Sequence, residues 1–83
     1  MEKYVILGVL VDNFSKDAVE VQKIFSKYGC SIRTRLGLHD VNEGVCATNG
    51  LILLEFIGGK ANAETMAAEL NALNGVSVKI MTF

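Results

Sequence analysis

The sequence predicts an α+β domain: a four-stranded antiparallel sheet with two helices on one face. Three observations carry this. The chain repeats itself: Gly29 matches Gly75 at an offset of 46 (75 − 29), and the same shift pairs Ile6 with Ile52, Ile24 with Leu70, Ser31 with Ser77 and Arg33 with Lys79. Each half reads strand, helix, strand from its hydrophobic period. The chain contains no Pro, and eight Gly scattered through it rule out a coiled coil. A βαβ unit used twice gives a βαββαβ two-layer sandwich of the ferredoxin-like kind. With 83 residues, the whole span 1–83 is expected to be a single domain.

The elements follow in order. Residues 3–11 are apolar and β-branched-rich, the mark of a first strand. Asp12, Asn13, Phe14 and Ser15 form a polar loop ending in Ser15, a good N-cap. Residues 16–28 place Val21, Ile24, Phe25 and Tyr28 at helical spacing, and Gly29 stands where a left-handed residue would end that helix. Residues 30–38 alternate as a second strand; residues 39–49 read as a polar loop or hairpin tip. Residues 50–57 form the third strand, broken by Gly58 and Gly59. Asn62 is the expected N-cap of the second helix, which Met66, Leu70 and Leu73 line. Gly75 ends it, and residues 76–83 form the fourth strand.

Composition narrows the function classes. The chain is 51% hydrophobic and carries a formal net charge of −1, which excludes a disordered segment. Eight basic and nine acidic residues are interspersed, with no basic stripe, so direct nucleic-acid binding is not expected. No apolar run approaches the roughly 18 residues of a membrane span. Two cysteines are too few for a disulfide framework, and no secretory leader is legible; the cytoplasm is the expected compartment. A mean hydropathy of +0.36 is high for so small a domain and points to burial against further copies, a dimer or a tetramer.

Carried onto the strands, the repeat puts Val5, Leu7 and Val9 on the same face as Leu51, Leu53 and Glu55. With the helices on one side only, the open face is expected to hold Val5, Leu7, Val9, Leu51, Leu53, Met81 and Phe83. Arg33, Arg35, Glu55 and Lys79 lie within that patch, with Arg33 or Arg35 paired to Glu55 across the second and third strands. A patch of this size marks an interface. The expected interface residues are therefore Leu7, Val9, Arg33, Arg35, Leu53, Glu55 and Met81.

Catalytic and metal chemistry find little footing. A nucleophile needs a nearby base, and His39 is the only histidine. Cys30, opening a strand, reads as a small buried apolar residue. No catalytic residue is expected. His39, Asp40, Glu43 and Cys46 fall close together but match no zinc spacing, so that stretch reads as a solvated tip and no metal site is expected. Gly58-Gly59-Lys60 lacks the full phosphate-loop spacing and reads as a turn. An acylphosphatase-like activity would want an arginine in the loop after the first strand, which holds none. Single-stranded RNA modules of this topology present aromatics on their central strands, whereas this face is aliphatic. No cofactor is legible.

Ile32-Arg33-Thr34-Arg35-Leu36-Gly37-Leu38 and Gly75-Val76-Ser77-Val78-Lys79, in this strand layout, resemble segments of the iron-only hydrogenase system regulator family, short free-standing ACT-like proteins. The resemblance spans nearly the whole chain. It implies a non-enzymatic, homo-oligomeric regulatory domain that senses a small-molecule effector and controls a hydrogenase system through a partner protein. The related fold of the nickel-responsive repressor uses histidine-rich ligands, which one histidine cannot supply. The effector is expected at a subunit boundary near Asp12, Asn13, Phe14 and Ser15. The alternative reading is a structural module that docks a larger partner through its apolar sheet face.

Overall fold

A computed structural model describes residues 3–12, 18–42 and 45–83, with side chains described over 3–12, 19–37 and 50–83. The order is β1 (Val5–Val11), α1 (Ala18–Lys27), a 3-10 turn (Gly29–Ser31), β2 (Ile32–Asn42), β3 (Val45–Phe56), α2 (Lys60–Asn71) and β4 (Val76–Thr82). The four strands form one sheet in the order β2-β3-β1-β4, with every neighbouring pair antiparallel. This is the βαββαβ sandwich expected from the sequence.

The core lies between the sheet and the helices. Val5, Leu7 and Val9 of β1, Leu54 and Phe56 of β3, and Val76 of β4 are buried against Val21 and Phe25 of α1 and Ala63, Met66, Ala67 and Leu70 of α2. In α2 the small Ala63 and Ala67 alternate with Met66 and Leu70, so the helix sits close on the sheet. At the end of α2, Asn71 accepts a hydrogen bond from the Val78 N–H (2.9 Å), tying the helix to edge strand β4. The helices are clasped to each other. Glu69 takes Lys27 Nζ at 2.7 Å on one oxygen and the Tyr28 hydroxyl on the other. The hydrogen bonds from Lys27 and then Tyr28 hold the Glu69 carboxyl below its ordinary range, and the same contact raises the Lys27 and Tyr28 values.

Several local expectations are corrected. Gly29 is not left-handed; it opens the 3-10 turn, while Gly75 (φ 73°) and Gly59 (φ 94°) take the positive φ values. Helix α2 begins at Lys60, ahead of Asn62, whose side-chain N–H donates to the Gly58 carbonyl at 2.9 Å. Cys30 is exposed, because the 3-10 turn carries it outside the sheet. The expected loop at residues 39–49 is largely strand: β2 and β3 stay paired as far as Asn42↔Val45, beyond the last β1–β3 pair, Val11↔Gly50.

The larger correction concerns strand faces. Cross-strand partners share a face, and β1 meets β3 in the register Leu7↔Leu54 and Gly8↔Leu53. Odd residues of β1 therefore share a face with even residues of β3, which an even repeat offset cannot produce. Leu7 and Val9, expected at an interface, are fully buried in the core, as Val5 nearly is. In β2 a bulge inserts Arg33 between the pairs Ile32↔Phe56 and Thr34↔Glu55. One extra residue flips the side of everything after it. Thr34 and Leu36 move to the open face, and Arg35 moves to the helix face.

Candidate functional site

The open face is built in rows across the sheet. Met81, Ile6, Glu55 and Thr34 form one row; Lys79, Gly8, Leu53 and Leu36 the next; Ser77, Leu10 and Leu51 a third. Tyr4 and Phe83 extend the surface past Met81, joined by the Phe83 N–H to Tyr4 carbonyl bond (2.9 Å). Leu10, Leu36, Leu51, Met81, Tyr4 and Phe83 are exposed, and Ile6 and Leu53 are half-buried. The patch predicted from the sequence exists, but β1 contributes Ile6, Gly8 and Leu10 to it, not Leu7 and Val9.

The charges on this face are placed by the bulge. Arg33 Nη1 lies 3.6 Å from Glu55 Oε2, and the Thr34 hydroxyl donates to Glu55 Oε1 at 3.1 Å. Arg35 instead donates to Gln22 of α1 at 3.1 Å and stacks its guanidinium 4.9 Å over the Phe25 ring. Its role is to cap the helix layer on the covered side of β2, so its assignment to the open face does not hold.

Two grooves adjoin the face. One of about 270 Å³ lies where β1 leaves the sheet, lined by Leu10, Asp12, Gly75, Val76 and Ser77. The Asp12 N–H donates to the Gly75 carbonyl at 2.6 Å and fixes the chain there. Gly75 has positive φ, so the turn into β4 can pass close to β1. The other groove, about 440 Å³, lies at the far end of β1, between Lys3, Arg33, Glu55 and Lys60.

Of the expected effector residues, Asp12 is exposed and lines the smaller groove. Asn13, Phe14 and Ser15 lie outside the described residues, as does Glu43; the side chains of His39, Asp40 and Cys46 lie outside them too. Among the described residues no three His, Cys, Asp or Glu side chains gather as a metal site. No described helix is long and apolar enough to cross a membrane. Sequence reasoning missed Tyr4, Ile6, Gly8, Leu10 and Leu36 on the open face. The available signal was the strand pairing itself, since antiparallel neighbours match by register and not by repeat offset.

No protein-family description matches the chain, and no curated protein matches it. Among solved structures, an uncharacterized protein from Thermotoga maritima is similar over 100% of this chain and 99% of its own, with a TM-score of 0.82 at 20% identity. A formyltetrahydrofolate deformylase from Pseudomonas putida is similar over 95% of this chain but only 28% of its own, with a TM-score of 0.55 at 15% identity. These likenesses show the fold: one as a whole chain of the same length, the other as a segment of a larger enzyme.

Proposed function

We propose that the chain is a non-enzymatic, oligomeric regulatory domain of the ACT-like kind, which binds a small effector in the groove at Leu10, Asp12 and Gly75–Ser77. The observation that carries this reading is shared lining: Leu10 and Ser77 belong both to that groove and to the open apolar face. An occupant of the groove therefore touches the surface that a second copy would cover. A ligand biases an assembly only through unequal affinity for its states, and this shared edge supplies a means. About 270 Å³ is just below the usual range of small-molecule sites, which suits a ligand of amino-acid size.

The regulated process rests on the segment resemblance: an iron-only hydrogenase system, reached through a partner protein. Hydrogenase activity in cells lacking the chain tests that step. The groove is tested by thermal shift against amino acids, nucleotides and divalent metals. Stabilisation by one class, lost in Asp12→Ala and Ser77→Leu, is the expected result. No shift with any compound, and silent variants, would remove the effector reading. The second reading, a module docking a larger partner, draws on the same exposed patch and gains if the chain stays monomeric.

A further inference from the structure

Gly8 sits in the middle of β1, an interior strand, where a glycine weakens the strand and costs roughly 0.5–1 kcal/mol against alanine. Nothing among the described residues requires it. Its φ is not positive. A Cβ there would meet only Leu53 Cδ2, at 3.8 Å, an ordinary contact. An interior strand glycine often marks a bulge, a tight bend or a place where something approaches the sheet closely, and β1 pairs on both sides without a bulge. Gly8 faces the open side, and its missing side chain leaves a hollow among Ile6, Leu10, Leu53 and Lys79.

We infer that the open face packs on the same face of a second copy, and that the Gly8 hollow receives Leu53 of that copy. The inference deepens the oligomeric part of the proposed function. The strand order β2-β3-β1-β4 puts the sheet's midline between β3 and β1. A two-fold axis along the strands at that midline lays β3 of one copy over β1 of the other. Gly8 and Leu53 are cross-strand partners at the same level. The axis therefore sets Leu53 of each copy over Gly8 of the other, a knob and a hole made twice by one operation, as an isologous interface requires.

The charged groups fit the same packing. Lys79, on edge strand β4, comes over β2 of the second copy, so its stem can cover Leu36 while its ammonium stays at the wet rim. Glu55 enters already paired with Arg33 and Thr34.

The test is the solution mass across a dilution series for wild type, Gly8→Val and Leu36→Glu, with circular dichroism to follow folding. The first variant fills the hollow with a strand-favouring side chain that the lone chain can accept; the second charges an exposed rim residue. The expected result is a wild-type dimer and folded variants whose dimer Kd rises about tenfold or more. Trimming the knob, in Gly8→Val with Leu53→Ala, should recover part of the lost association. A wild type that is monomeric throughout overturns the inference, as do two variants that dimerise like wild type. A monomer that still melts higher with an effector would overturn the dimer and spare the groove; a dimer that no compound stabilises would do the reverse.

Discussion

The two faces of the sheet are cut from alternate residues of the same strands and end in opposite environments. The covered face holds Leu7, Val9 and Leu54, all fully buried under α1 and α2. The open face holds Leu10, Leu36, Leu51 and Met81, all exposed, around the hollow at Gly8. Both are apolar, so hydrophobic content does not tell core from contact surface. What separates them is side-chain detail. The covered face is continuous and packs on Ala63, Met66, Ala67 and Leu70. The open face is interrupted by a glycine, one bulge-placed ion pair and an edge lysine.

The sharpest way to break this comparison is to put one charge on each face. Leu7→Glu buries a carboxylate without a partner and should leave the chain unfolded by circular dichroism. Leu36→Glu, on the open face, should fold. A folded Leu7→Glu chain would erase the distinction. Next in size, Leu54→Ala removes a fully buried side chain and should cost about 2–5 kcal/mol in urea unfolding. Smaller again is Gly58→Ala. The new Cβ would lie 2.6 Å from Ser31 Oγ, 2.8 Å from Ser31 Cβ and 2.8 Å from Phe56 Cε2, at the join of β3 to the turn before β2. Crowding of that kind costs about 1–3 kcal/mol, read as a lower urea midpoint. A midpoint equal to wild type would show that the join is loose.

The smallest effect concerns the helix layer. The folded Glu69 value is depressed by its hydrogen bonds from Lys27 and Tyr28. Its contribution is present above the ordinary carboxylate range and lost as the pH falls through the lower folded value. Lys27 is raised, so its contribution holds below the ordinary lysine value and fades as the pH rises through the higher folded one. Glu69→Gln should thus flatten the acid side of the stability profile and lower the neutral plateau slightly. The effect should shrink in high salt, because the Lys27 ammonium is exposed. An unchanged acid limb would show that the clasp adds nothing.

The fold was legible because periodicity and punctuation are local. Val21 and Phe25 at helical spacing, and Met66 and Leu70 in the second helix, stand where the pattern placed them; that helix closes at Asn71, and Gly75 instead shapes the turn into β4. The faces were less legible. A strand's side-chain period is two, so one residue of slip reverses every assignment. The repeat offset carried β1 to the wrong parity, and the Arg33 bulge reversed Arg35. The groove at Asp12 was half legible: the β1–α1 junction is a sequence feature, but Gly75 to Ser77 reach it only through β4 lying beside β1.

The sequence by itself determined two amphipathic helices, four strands apolar enough to be buried on either side, and a composition without the basic stripe of a nucleic-acid binder. Those properties depend on residue type and spacing alone. Only the tertiary structure decided which apolar residues became core and which stayed exposed, because register and a single bulged residue belong to paired strands. It also decided that Gly8, which looks like any other strand interruption in the sequence, opens a hollow at the centre of the uncovered face.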